Sequence, residues 1–416
     1  MKRFGAPRVS GPSRSNAEIA GDFLDLEFRM ESGRSLPVLT RFEGPITVAL
    51  KGDVPATASA DLTRVIQRFR SEAGIDVSQT ANDAAITVEF ISRRQIQATY
   101  NNVACFVVPR VSSWAEYRSV KGTDVVDWTT VTRREKVAIF VPSDTSPQEV
   151  RDCLHEELAQ AMGPLNDLYQ LPDSVFNDDN FHTVLTGFDM LILRLHYSSE
   201  LRTGMTQAEV AGRLPALLAR MNPAGQRAGI QSSDRTPRAW VNAIEAALGP
   251  RSGGAARRNA AQMALSIAMA QGWHDSRLAF SYFAVGRLNL GHDPAAAVAA
   301  FNESARLYRS LPGGQIHAAH VDMQLAANAL SSGQPEQAIA LADRAMPVVQ
   351  AGENAALLAT LLLVKSEALS MLGREDEAKA ARLDSLGWAR YGFGAESVVR
   401  ARMSDIAALV PANQRG

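Results

Sequence analysis

The chain has 416 residues, 46% of them hydrophobic and 21% charged, with a formal net charge of −1. That length suits two or three domains with cores of their own. The near-neutral balance gives no basic field for nucleic acid or an anionic membrane surface. No apolar run approaches the roughly 18 residues that a bilayer-spanning helix needs.

Residues 1–14 are rich in Gly, Pro, Ser and Arg and read as a disordered tail. Met1-Lys2-Arg3-Phe4-Gly5-Ala6-Pro7 is positive but has no apolar stretch behind it, so it does not read as a signal peptide. Ser15-Asn16-Ala17-Glu18 then looks like a helix start, with Ile19, Phe23, Leu24 and Leu26 on an apolar side. From about residue 45 the pattern becomes mixed. Pro45 to Leu50 is a short β-branched run, and Leu62, Val65, Ile66 and Phe69 have the spacing of an amphipathic helix. Ala85 to Ile91, Ala104 to Val108 and Lys136 to Val141 are further strand candidates. Ser146-Pro147 starts a helix over about Gln148 to Met162, which Gly163-Pro164 ends.

Beyond residue 205 the chain reads as all helix, with candidates over Thr206 to Met221 and Pro237 to Leu248. Pro250-Arg251-Ser252-Gly253-Gly254 has a linker's composition. The last third repeats. Leu290-Gly291-His292-Asp293-Pro294-Ala295 returns as Ser332-Gly333-Gln334-Pro335-Glu336-Gln337, and again as Leu372-Gly373-Arg374-Glu375-Asp376-Glu377. The glycines stand 42 and 40 residues apart, each between an apolar helix and an alanine-rich one. Over about residues 257–395 this resembles a long-repeat version of the tetratricopeptide (TPR) class, whose paired helices bury their cores against neighbours. The expected organisation is a tail and helix over 1–44, an α+β domain over 45–204, a helical linker region over 205–250 and a helical repeat domain over 251–416.

The segment Glu156-Glu157-Leu158-Ala159-Gln160-Ala161-Met162-Gly163-Pro164-Leu165-Asn166 carries the chemistry in question. On a helical wheel of about 100° per residue, Val150, Leu154, Leu158, Ala161 and Met162 form one apolar stripe. Cys153, Glu156, Glu157 and Gln160 occupy the adjoining sector, with Glu156 and Gln160 one turn apart. His155 points elsewhere and reads as a partly exposed helical histidine.

This segment resembles the metzincin zinc-peptidase motif H-E-x-x-H-x-x-G-x-x-H, with every zinc-binding histidine replaced. The first His falls on Glu156, the general-base Glu on Glu157, the second His on Gln160, the glycine on Gly163 and the third His on Asn166. Ser174-Val175-Phe176-Asn177-Asp178 sits where metzincins carry the Met-turn, with Phe176 in place of the methionine. Leu185-Thr186-Gly187-Phe188-Asp189 onward resembles the closing helix of that family. The strand, helix, further strands and motif helix follow one another as in a metzincin N-terminal subdomain. The chain is most similar to a bacterial metzincin-like family of unknown function, typically exported, whose members carry this Glu-Glu-x-x-Gln helix with Asn-Asp after it.

The resemblance implies a metzincin-like α+β domain with a mixed twisted sheet, in which Gly163, Asp167, Phe176 and Asn177 support the cleft. Zinc prefers imidazole and thiolate, so Glu156, Gln160 and Asn166 form an altered set, and no cofactor is expected. The alternative is a divalent ion. Oxygens of Glu156, Gln160, Asn166 and Asp167 would suit calcium or magnesium better than zinc. Without a Lewis acid, Glu157 has little to activate as general base. In the implied fold the motif helix packs across the sheet, where Cys153 could bond Cys105; two free thiols are the other reading. A bond would indicate an oxidising compartment, matching the periplasmic or cell-envelope location that the resemblance implies, against a cytoplasmic alternative. The expected function is a non-catalytic envelope protein that binds protein or peptide through its repeats. The competing expectation is a divergent metal-dependent hydrolase using Glu157.

Overall fold

The computed structural model describes residues 2, 4–5, 11–100, 103–229, 235–249 and 253–412. The N-terminal part begins with α1 (Asn16–Glu27), which opens with a capping box between Ser15 and Glu18. Strand β1 (Ile46–Gly52) leads to α2 (Ala58–Arg68), whose last turn widens into a π-helical turn over Phe69–Ala73. Then come β2 (Val77–Gln79), β3 (Ile86–Ile91), α3 (Arg93–Gln97), β4 (Phe106–Pro109), α4 (Trp114–Val120) and β5 (Val137–Pro142). The motif helix is α5 (Pro147–Met162), and α6 (Gly187–His196) and α7 (Gln207–Met221) complete this part.

The sheet order is β2-β1-β3-β5-β4. All neighbours are parallel except β4, which runs antiparallel to β5 at the edge, with Phe106 opposite Phe140. β5 is buried along its whole length, as a strand covered on both faces must be. The short β2, with the polar Ser78 and Gln79 exposed, carries too little pattern to be read from the sequence. Helix α1 lies in the same core as the sheet and α5, through Ile19, Phe23 and Leu26.

The C-terminal part is all helical: α8 (Arg238–Leu248), α9 (Gly254–Ala270), α10 (Ser276–Asn289), α11 (Pro294–Ser310), α12 (Gln315–Ser331), α13 (Pro335–Ala351), α14 (Ala355–Met371), α15 (Glu375–Gly392) and α16 (Glu396–Ala407). Each helix from α8 to α15 packs on the next, giving a solenoid-like stack of helix pairs. The repeat turns follow the sequence pattern. Gly333 and Gly373 take φ of 69° and 70°, which a residue with a Cβ rarely adopts. The helices after the turns begin at Pro294, Pro335 and Glu375.

The two parts share apolar surface. Tyr169 and Phe181, from the segment between α5 and α6, sit in the core of the repeats. Tyr169 meets Trp240 edge-on at 4.9 Å, and Phe181 meets Phe283 at 5.1 Å. Residues 250–252 of the expected linker lie outside the described residues, as do 1, 3 and 6–10 of the expected tail. The described part of that tail is docked rather than disordered. Phe4 stacks on Trp388 at 4.5 Å, and Arg14 Nη2 donates to Asp173 at 2.6 Å.

Candidate functional site

Helix α5 is fixed at both ends. At its start the Ser146 hydroxyl accepts from the Glu149 amide at 3.1 Å, and Pro147 takes the first helical position. At its end the Gly163 amide donates to the Ala159 carbonyl at 2.8 Å, and a side chain at Gly163 would press on Leu193. Arg134, buried, donates to the carbonyls of Gln160 and Ala161 at 2.7 and 2.8 Å and also to Gly163. Its charge sits at the negative end of the helix dipole. Tyr197 Oη, at the end of α6, donates to the Met162 carbonyl at 2.9 Å. The apolar stripe Val150, Leu154, Leu158, Ala161 and Met162 is buried, as the wheel predicts.

The segment after α5 is tied to α6 by Asp189. Its carboxylate accepts from Ser174 Oγ at 2.5 Å, the Val175 amide at 3.2 Å and the Thr186 amide at 2.7 Å. Phe176, fully buried, joins the core that also holds Leu154 and Leu158.

The residues singled out in the motif converge only in part: Gln160 meets Asp167, Glu156 feels the charges of Glu31 and Asp178, and Asn166 turns away. Glu156 is half-buried, lines a cavity of about 680 Å³ and has no hydrogen-bond or ion-pair partner among the described residues. Burial pushes its carboxyl up to about 8, with Glu31, Asp178 and Asp152 adding repulsion. Glu157 is buried, and its Oε2 lacks a partner among the described residues. Burial, then the nearby Glu156 and Glu31, hold it protonated well above the usual carboxylate range. Gln160 Nε2 reaches Asp167 only at 3.4 Å, a long hydrogen bond. Asn166 turns the other way, donating to the Asp25 carbonyl at 2.9 Å, and lines a second cavity of about 440 Å³. Asn177 donates to the Leu171 carbonyl and to Asp179, at 2.8 and 2.9 Å.

His155 is a correction. It is buried rather than partly exposed, and its Nδ1 accepts from the Leu185 amide at 3.2 Å. Burial, followed by Arg151, Arg68 and Arg64, keeps its pKa well below the ordinary value, so the ring is neutral. An isolated histidine one position off the apolar stripe gave no sign that the 185–186 backbone would cover it.

Zinc does not fit the motif positions. The set supplies one carboxylate and two amides, and Glu156 and Asn166 line different cavities. Asp167 instead joins Glu31 and Asp178 in the second cavity, with one oxygen of each within 4.8 Å of the others. That spacing would go round a calcium ion, whose oxygens stand about 2.3–2.6 Å from the metal. Glu31 lies over a hundred residues upstream, and no local pattern announced it.

The larger cavity lies between the two parts of the chain. Cys105, Asp152, Glu156 and His182 line it from the N-terminal side, and Met323, Leu357 and Phe393 from the repeats. Cys105 and Cys153 form a disulfide at its edge, the pairing the resemblance implies. His182 and His320 both face it, and burial lowers the pKa of each, that of His320 to about 3. Neither histidine belongs to a motif in the sequence.

No curated protein and no solved structure matches the chain. The family model described as "Protein of unknown function (DUF2927)" matches residues 16–216, so the chain carries a DUF2927 domain followed by helical repeats.

Proposed function

We propose that this is a cell-envelope binding protein. In this reading its N-terminal domain is metzincin-like but does not cleave, and its repeats form one wall of a polypeptide-binding cleft. The observation that carries the reading is the cavity of about 680 Å³ between α5 and the repeats, a size usual for ligand sites. The order of strands and helices leading to α5, and the turn at Gly163, support a metzincin-like ancestry. The loss of all three imidazoles, with Glu156 and Asn166 lining different cavities, argues against a zinc-activated water. The Cys105–Cys153 bond agrees with an oxidising compartment.

Hydrogen exchange of the full chain with a pool of random eight-residue peptides tests the cleft. Protection should appear in Pro147–Met162 of α5 and in α12 and α14, on the cavity walls. Protection confined to other surfaces, or none, would remove the reading.

One observation favours a second reading, a divergent hydrolase. Glu157 is a buried carboxylate with an unpartnered oxygen and a strongly raised pKa, a pattern that recurs at catalytic sites. Its metal would be calcium or magnesium held by Glu31, Asp167 and Asp178. Peptide hydrolysis measured with the unmodified chain beside Glu157→Gln separates the two.

A further inference from the structure

The walls of the larger cavity are unevenly charged. Glu149, Asp152, Glu156 and Asp405 line it, against Arg402 as the one lysine or arginine among the lining residues. Most of these charges are already engaged. Glu149 pairs with Arg93. Asp152 accepts from Arg151 at 2.7 Å and from Gln148 at 3.3 Å. Arg402 stands 4.0 Å from Asp405 and lies over the Phe393 ring. Glu156 alone of the four carboxylates has no partner among the described residues, though it is half-buried. The two histidines facing the cavity do not compensate it, since burial keeps both neutral at ordinary pH.

Burial and the neighbouring acids push the Glu156 carboxyl up to about 8, and a cation seated beside it would lower that value and let it bind as the carboxylate. We propose that the cavity takes a basic segment of a partner polypeptide, with a lysine or arginine side chain seated against Glu156. A bare metal ion is a poor occupant here. Glu156 belongs to no group of three ligand atoms within 4.8 Å among the described residues. A polypeptide fits better than a small amine because the opposite wall is broad and apolar. Met323, Leu357 and Phe393 can cover the aliphatic stem of a long basic side chain and its neighbours. This inference rests on the cleft reading above and adds the chemistry of its partner.

The test uses the full chain and three pools of random eight-residue peptides that differ only in a fixed central Lys, Gln or Glu. Equilibrium dialysis measures what each pool leaves bound. The Lys pool should bind about tenfold more tightly than the Gln pool, the difference expected of one charge-assisted hydrogen bond. The Glu pool should bind most weakly. E156Q should bring the Lys pool to the level of the Gln pool, and M323R should weaken all three by blocking the repeat wall. Equal binding of the Lys and Gln pools would overturn the basic-segment proposal while leaving the cleft reading in place. A Lys preference that survives E156Q would place the cation elsewhere and also overturn it. Absence of binding by every pool would remove the cleft reading, and the proposal with it.

Discussion

His317 Nε2 stands 2.8 Å from Asp179 Oδ2, and both residues are buried, one in the repeats and one in the DUF2927 domain. Asp179 is further held by Asn177 Nδ2 at 2.9 Å, and the His317 ring stacks on Tyr308 at 4.7 Å. The contact joins the two parts through a desolvated polar pair set among aromatic rings. Removing one member leaves the other buried and unpaired. His317→Ala should therefore cost about 3 kcal/mol in denaturant unfolding, and the loss should register in both parts. A loss confined to the helical repeats would mean that the pair does not couple them.

Arg134 is a buried cation with a structural task, since it satisfies carbonyls at the end of α5. Arg134→Leu should lower stability by about 2–3 kcal/mol and increase hydrogen exchange in the last turn of α5. Unchanged exchange there would show that the turn at Gly163 closes the helix alone.

The Cys105–Cys153 bond closes a loop with a sequence separation of 48. In the chain-entropy model such a bond stabilises by roughly 4 kcal/mol. Alkylation of unreduced, unfolded protein from an oxidising compartment should modify no cysteine, and reduction should lower the melting temperature. Two alkylated thiols would remove the bond and the support it lends to an envelope location.

The junction also predicts a pH response. His320 lies against Phe181, with ring centroids 4.5 Å apart, and its pKa is pushed down to about 3 by burial and by His317, His182 and Arg287. A histidine whose folded pKa is depressed binds fewer protons than the unfolded chain. Its contribution is therefore present above the unfolded value near 6.5 and is lost as pH falls below it. Glu156 has the opposite sign. Its raised pKa makes the fold less stable as pH rises from about 4.5 towards 8. The difference between His320→Gln and the unmodified chain isolates the histidine. Relative to its value at pH 7, the variant should gain about 1–2 kcal/mol at pH 5. A pH-independent difference would show that His320 titrates as freely in the folded protein as in the unfolded chain.

The sequence read best where one periodicity dominates. The stripe on α5, the Ser146-Pro147 start and the Gly163 end were legible because each is a local rule written within a few residues. The repeat turns were legible through Gly333 and Gly373 for the same reason. Helix α1 was expected ahead of the domain, but Ile19, Phe23 and Leu26 lie in the domain core. Nothing in a local pattern says which core an amphipathic helix will join. The site was harder still. Spacing set Glu156 and Gln160 one turn apart on α5, but the direction taken by Asn166 depends on the Asp25 carbonyl, a contact 141 residues away in sequence. Glu31, Arg134, His182 and His320 gain their surroundings only from such long-range contacts.

The proposed function requires the domain to bind polypeptide without cleaving it. Its most direct test incubates the full chain with random eight-residue peptides and zinc, calcium or magnesium, beside Glu157→Gln, and follows the peptides by mass spectrometry. The peptides should be recovered intact from both proteins under every metal. Cleavage by the unmodified chain that Glu157→Gln abolishes would contradict the account and establish the hydrolase.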